Sequence, residues 1–286
     1  MIKLIASDMD GTLLNDDHMI SEENLKAIRK AQEMGRHFTI VTGRDYGAVK
    51  SYLEECNLKC ECILSNGAEY RDVDGNIIES VYMNKESVKI VFDILNEAGL
   101  CIQLMTNKGS YITNKESDKK AIIDRFKLFN PKMTEEEVKK FVENFHKERG
   151  MKEIDNIYEI LESNVEILKI VTFDKDEKLI ARLKDKLRES TSDLAVASTF
   201  SNDIEISDIE AQKGLILAKT IKKMGIDKSE VIVLGDSFND YSMFTEFENS
   251  YAMENAIPEI KKIAKYITDT NNNDGVAKAI YKALEV

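Results

Sequence analysis

Short apolar runs that break into polar turns alternate, along this chain, with stretches whose apolar residues recur every three or four positions. The first run climbs from Ile2 to Ala6 and breaks into Ser7-Asp8-Met9-Asp10-Gly11-Thr12. Runs of this length, bounded by turn residues, read as buried strands. Ser21 then fits the cap of a helix reaching about Met34, with Leu25, Ile28 and Ala31 on one face and Gly35 as its stop. Phe38-Thr39-Ile40-Val41 breaks into Thr42-Gly43-Arg44, a helix is expected over Tyr46–Glu55, and Ile63-Leu64 ends in Ser65-Asn66-Gly67. Strand alternating with helix at this spacing predicts right-handed βαβ units and a parallel sheet. Asp74-Gly75 marks a hairpin turn after them.

From about Asn84 the rhythm changes. A helix over Glu86–Ala98 leads into two strands, Leu100–Met105 and Ser110–Thr113, joined at Lys108-Gly109. Lysine- and glutamate-rich helical stretches follow from about Glu116 and from Thr134, separated by Pro131. A strand at Val165–Phe173, a helix at about Asp176–Glu189, and strands around Leu194–Thr199 and Asp203–Ser207 close this section. Helix-strand-strand units at both ends predict a separate α+β module inserted into the first domain. The βα rhythm resumes with Lys213-Gly214 opening a helix to Met224, then the most apolar strand, Val231–Leu234, which breaks into Gly235-Asp236-Ser237-Phe238-Asn239-Asp240. A strand near Tyr251–Met253, a helix after Pro258 and a last helix from Gly275, capped by Asp274, complete the chain. The expected fold is α/β: a Rossmann-like core of residues 1–83 and 209–286 with an inserted α+β cap over 84–208.

Charge and composition narrow the partners. A net charge of −12 argues against nucleic acid or an anionic membrane surface. No apolar stretch approaches the ~18 residues of a membrane helix, and Asp8 and Asp10 interrupt what would be the core of a signal peptide. The four cysteines, Cys56, Cys60, Cys62 and Cys101, lack paired zinc-ligand spacing and read as thiols in a reducing cytoplasm. His18, His37 and His146 show no partner pattern, and the acidic run Glu135–Glu137 reads as a solvated helix face. Nothing in the pattern specifies an oligomeric state.

The four apolar runs ending at Ala6, Val41, Leu64 and Leu234 each break into polar residues at the C-terminal tip. In a parallel sheet those tips share one edge, so Asp8, Asp10, Thr42, Asn66, Asp236 and Asp240 should face one crevice. An EF-hand calcium loop is excluded at Asp8-Met9-Asp10, because glycine follows the second aspartate directly and a strand precedes the first. Several carboxylates in one crevice repel each other and call for a hard divalent cation such as Mg²⁺. Thr42-Gly43 offers a hydroxyl and an unobstructed N–H for phosphate oxygens, and Lys213 adds a positive charge at a helix start. The set suits phosphoryl transfer, with Asp8 as nucleophile, Asp10 as acid and base, and Asp236 on the metal. Asp240 would support the metal or position Lys213, and Asn239 would reach phosphate or orient the others. Arg44 reads equally as a structural pair for an acid or as a substrate contact, while Asn66 more simply shapes its turn.

Asp8-Met9-Asp10-Gly11-Thr12, Thr42-Gly43-Arg44, Lys213-Gly214 and Gly235-Asp236-Ser237-Phe238-Asn239-Asp240 resemble, in order, the four motifs of the haloacid dehalogenase superfamily. Ser65-Asn66-Gly67-Ala68, Ala252-Met253-Glu254-Asn255-Ala256 and Asp274-Gly275-Val276-Ala277 resemble its Cof-type (subclass IIB) branch, which carries a large α+β cap. The resemblance implies Mg²⁺-dependent hydrolysis of a small phosphate ester, a sugar phosphate or cofactor-like phosphate, through an aspartyl-phosphate. It implies catalytic roles for Asp8, Asp10, Thr42 and Lys213, phosphate or substrate contacts from Met9, Thr42, Gly43, Arg44, Lys213 and Asn239, and a metal on Asp8, Asp10 and Asp236. A phosphomutase on the same scaffold is one alternative. A non-catalytic phospho-ligand sensor is the other, although it predicts erosion of a motif residue. A dehalogenase would need no metal cluster. Glu254 stands where the family usually has glycine; if that position needs φ > 0, glutamate costs about 1 kcal/mol.

Overall fold

Leu4, Ile5 and Ala6 are buried on both faces, so the strand they form is suited to the middle of a covered parallel sheet. In the computed structural model β1 (Leu4–Ser7) takes that place. The structure describes residues 1–129, 134, 136–138, 140, 151–154 and 156–285. One unit comprises residues 1–81 with 210–286, and the other comprises residues 82–209.

In the first unit, β1 pairs in parallel with β2 (His37–Val41) on one side and β12 (Val231–Gly235) on the other. The chain continues outward through β3 (Glu61–Leu64) on the β2 side, and through β13 (Ser250–Ala252) and β14 (Tyr266–Ile267) on the β12 side, all parallel. Strand order therefore reverses between β1 and β12, which makes their C-terminal tips the switch point where ligands bind in such sheets. The hairpin β4 (Glu69–Arg71) and β5 (Ile77–Ser80) extends the β3 edge antiparallel, giving eight strands.

Helices cover this sheet through one apolar stripe each. In α1 (Glu22–Glu33) Leu25, Ile28 and Ala31 are buried, and the Ser21 hydroxyl accepts from Asn24 N–H at the start. The helix α2 (Tyr46–Glu55) is capped by Asp45. The sheet's last helix, over Gly275–Leu284, departs from the expectation that Asp274 caps it. Asp274 holds the cap position in a left-handed conformation, but its carboxylate accepts from the Ser21 hydroxyl at 2.5 Å and caps no N–H. The two-residue strand β14 escaped the sequence pattern because so short a run carries no period.

The second unit is a six-stranded, mostly antiparallel sheet in the order β10-β11-β9-β6-β7-β8: β6 (Gln103–Thr106), β7 (Gly109–Ile112), β8 (Lys152–Glu153), β9 (Ile167–Phe173), β10 (Leu194–Ala197) and β11 (Asp203–Asp208). The helices α3 (Lys85–Glu97) and α6 (Glu177–Ser190), with a short α5 (Ile157–Glu162), supply Val88, Val91, Leu95, Ile180 and Leu187 to its own core, against Leu104, Ile170, Ile204 and Ile206. The period of two puts Lys169, Asp203, Glu205 and Ser207 on the other face. There the buried Lys169 pairs with Glu205 at 3.1 Å. α4 spans Lys115–Phe129. The helix expected from Thr134 lies mostly outside the described residues, as do Pro131 and His146.

Candidate active site

The tip of β1 is tied to the tip of β12, since Asp8 N–H donates to the Leu234 carbonyl at 3.0 Å. Backbone pairing therefore brings together two acidic turns separated by more than two hundred residues of sequence. Carboxylate oxygens of Asp8, Asp236 and Asp240 lie within 4.8 Å of one another. Lys213, the first residue of α7 (Lys213–Lys223), is fully buried and places Nζ 2.6 Å from Asp8 Oδ1 and 2.6 Å from Asp240 Oδ1. Gly214 lets this helix approach: a Cβ on it would fall 2.1 Å from the Ser242 carbonyl oxygen, and its N–H donates to the Ser242 hydroxyl at 2.9 Å.

Three carboxylates face one ammonium, and the titration of the group follows from that imbalance. Burial, then the neighbouring Asp240 charge, pushes the Asp8 carboxyl well above the usual carboxylate range. The same two causes push Asp236 up to about 7. Burial works against the charged Lys213, but the charges of Asp240 and Asp8 outweigh it and raise its pKa. A hard, all-oxygen donor set that lacks one cation is what a divalent ion such as Mg²⁺ fits.

Asp240 has little capacity left for a metal. Its Oδ1 takes Lys213, and its Oδ2 accepts from the N–H groups of Asp236 at 2.9 Å and Ser237 at 3.1 Å. It fixes the turn that presents Asp236 and holds Lys213. Asp8 and Asp236 are left as the available carboxylates.

Asp10, expected beside them on the metal, is placed differently. Both its oxygens face the guanidinium of Arg44, at 2.6 and 2.8 Å. Burial raises the Asp10 pKa, but the hydrogen bonds and charge of Arg44 prevail and hold it below the usual range. The guanidinium also lies over the Tyr52 ring, 5.2 Å from its centre. In this arrangement Arg44 is the structural pair of an acid, and Asp10 can reach a cation with its side chain only by leaving it.

Thr42 is buried at the tip of β2, where its hydroxyl oxygen accepts from Arg44 N–H at 3.2 Å. Gly43 follows it directly. The Met9 side chain is buried, so any contact with phosphate falls to its backbone. Asn66 shapes its turn as expected: Ser65 and Asn66 are both left-handed, at φ 51° and 62°. Such consecutive strained residues persist only where surrounding bonds hold them; here Ser65 N–H donates to Arg44 O and Asn66 N–H to Thr42 O. The Asn66 carboxamide also accepts from Asn239 Nδ2 at 3.4 Å, linking the tip of β3 to the turn after β12.

Three participants carried no assigned role in the sequence reading. Thr12 donates its hydroxyl to Asp236 Oδ1 at 3.1 Å, Ser242 receives Gly214 N–H, and Asn255 donates to the Gly11 carbonyl at 2.7 Å. Thr12 and Asn255 belong to motifs visible in the sequence, but no local pattern names their partners. Glu254 carries no strain, because its φ is not positive; its N–H donates to Asp269 O at 3.3 Å.

Comparison with known proteins agrees with this architecture. Residues 5–280 match the family model for haloacid dehalogenase-like hydrolases. The chain is 31% identical over 284 residues to the 5-amino-6-(5-phospho-D-ribitylamino)uracil phosphatase YwtE of Bacillus subtilis, covering 99% of this chain and 98% of that one. It is 32% identical to a second Bacillus subtilis phosphatase named for the same compound, YcsE, over 98% of this chain and 94% of that one. A solved haloacid dehalogenase-like hydrolase from B. subtilis superposes with a TM-score of 0.86 at 32% identity, covering 98% of this chain and 99% of that one. The subclass IIB sugar phosphatase BT4131 shares the fold, with a TM-score of 0.79 at 21% identity over 99% of each chain. A parallel-sheet core with motif residues at its switch point, an inserted α+β cap and these relatives together make the chain a member of the haloacid dehalogenase-like hydrolases, a Cof-type phosphatase acting on phosphoric monoesters.

Proposed function

We propose that the enzyme is a Mg²⁺-dependent phosphatase that hydrolyses a small phosphomonoester through a covalent phosphate on Asp8. The observation that carries this reading is the buried Lys213, 2.6 Å from both Asp8 and Asp240, with Asp236 alongside. Asp8 and Asp236 would hold the metal. When bound, Mg²⁺ supplies the positive charge that lets a phosphate dianion approach a carboxylate.

Lys213 holds Asp8 Oδ1, which leaves Oδ2 as the oxygen that would attack phosphorus. Attack gives an aspartyl-phosphate and releases the alcohol. Asp10, held deprotonated by Arg44, is in the state that accepts a proton from the water of the second step. To protonate the leaving alcohol in the first step it must be released from Arg44 and take up a proton from solvent, which it passes to the departing oxygen and recovers from the water of the second step. Thr42, Gly43 and the Met9 backbone would donate to the phosphate oxygens, and Asn239, which already bonds Asn66, would assist them.

The substrate in this reading is a cytoplasmic sugar phosphate, polyol phosphate or cofactor-like monophosphate. Because YwtE and YcsE are named for a phosphoribityl compound, we would assay a ribityl phosphate first. A panel of such esters, assayed for inorganic phosphate with Mg²⁺ and with excess chelator, tests the proposal. We expect release from at least one ester with Mg²⁺ and almost none with chelator. Undiminished release in chelator sinks the metal-dependent route, and isomerised ester without free phosphate would indicate a mutase.

A further inference from the structure

Asn255 is exposed on the loop after β13, yet its carboxamide joins two distant parts of the chain. Its Nδ2 donates to the Gly11 carbonyl at 2.7 Å, and its Oδ1 accepts from Asn271 N–H at 2.9 Å. Asn271 is itself buried and anchored, its Nδ2 donating to the Leu14 carbonyl at 3.0 Å. The first catalytic turn is thus fastened at two points to the C-terminal part of the chain.

Gly11 and Thr12 touch Asp236 on their other side. Gly11 is left-handed, at φ +74°, and so close to Asp236 that a Cβ on it would fall 2.5 Å from Oδ2. Thr12 donates its hydroxyl to Asp236 Oδ1 at 3.1 Å. The Gly11–Thr12 segment is therefore held by Asn255 at the Gly11 carbonyl, while the Thr12 hydroxyl bonds Asp236 Oδ1 and Gly11 leaves no room for a Cβ beside Oδ2.

We propose that Asn255 is a positioning residue for the Asp236 carboxylate, acting through the Gly11–Thr12 peptide to aim Asp236 at a divalent cation. This rests on the reading of Asp236 as a metal ligand. A loop fastener with no such role would change thermal stability and leave cation affinity alone.

Sign separates the two. Asn255→Asp keeps an acceptor for Asn271 N–H, loses the donor to the Gly11 carbonyl, and adds negative charge near an acidic cluster. Charge alone would tighten cation binding. Loss of the strap would weaken it, by roughly tenfold, as for other groups that orient metal ligands. Mn²⁺ titration followed by EPR, on the full-length wild type, N255A, N255D and T12V, reads this directly.

We expect N255A and N255D to bind Mn²⁺ roughly tenfold more weakly than wild type, and T12V to shift in the same direction. Thermal melts accompany each titration. Truncating an exposed side chain leaves no cavity, and N255D carries the test if N255A melts early. Wild-type affinity in N255A, or tighter binding in N255D, overturns the proposal. A wild type that binds no Mn²⁺ removes the metal reading and this proposal with it, which is a different result from a wild type that binds while the variants match it.

Discussion

The two units handle buried charge in opposite ways. In the core, parallel strands end at one edge, and their polar tips bring Asp8, Asp236, Asp240 and Lys213 within a few ångströms of each other. In the cap, antiparallel strands end at both edges, and charge appears in mid-strand, as in the pair Lys169–Glu205 across neighbouring β9 and β11. A parallel sheet concentrates strand ends and so concentrates reactive groups, whereas an antiparallel sheet spreads its polar residues over a face. Among the described residues, the acidic cluster that offers Asp8 and Asp236 to a metal belongs to the core alone. We propose on this basis a division in which the chemistry belongs to the core and, as a separate hypothesis, substrate choice belongs to the cap.

The strongest challenge to that division is to disable the core and leave the cap intact. Asp8→Asn should lower phosphate release roughly a thousandfold or more while ligand binding persists, because only the nucleophile is lost. Equilibrium binding of a phosphate ester beside single-turnover rates checks this, and a near-wild-type rate would exclude the covalent route. Lys213→Ala should act on both activity and folding. It strands buried Asp8 and Asp240 without their cation, which costs about 3–5 kcal/mol in metal-free protein. Denaturant melts without and with Mg²⁺ should show that loss, with a smaller deficit when the metal is present.

The next effect concerns pH and separates a metal-holding cluster from a merely acidic one. Asp236 is raised to about 7 in the fold, so the folded protein holds a proton that the unfolded chain has released. Metal-free stability from this group is then present at low pH and is lost as pH rises toward about 7. A cation must displace that proton, so its affinity runs the other way. The gain in Tm on adding Mg²⁺ should be larger at about pH 8 than at about pH 6. A gain that shrinks with rising pH would contradict the assignment of Asp236.

Moving the cap tests the other half of the comparison. Replacing residues 82–209 with the cap of a relative of different substrate preference should shift the ester profile and keep the Mg²⁺ requirement. If the profile stays put, while changes at Arg44 or Asn66 move it, the core loops are the selectors. The smallest expected effect is at Glu254, whose backbone is not left-handed. Glu254→Gly should therefore give no stabilisation and cost about 0.5 kcal/mol through added freedom of the unfolded chain, read from the denaturant midpoint.

Strand direction explains why so much of the site is legible in the sequence. Apolar runs that end in Asp8, Thr42, Asn66 and Asp236 must meet at one edge if the strands are parallel, and alternation with helices makes them parallel. Ser21, the hairpin at Asp74-Gly75 and the boundaries of Tyr46–Glu55 were legible for the same reason: each depends on residues a few positions apart. Side-chain pairing depends instead on distances between segments that only the folded chain brings close. Tertiary structure alone decided that both oxygens of Asp10 go to Arg44, that Asp240 is filled by Lys213 and two amides, and that Asn255 holds the Gly11 carbonyl. It also decided that Asp274 binds Ser21 in place of capping its helix, and that Glu254 needs no glycine. Local pattern specifies where a strand ends and what is on its tip; which partner each oxygen finds there is settled by long-range geometry, in a crevice where burial makes every unmatched charge costly.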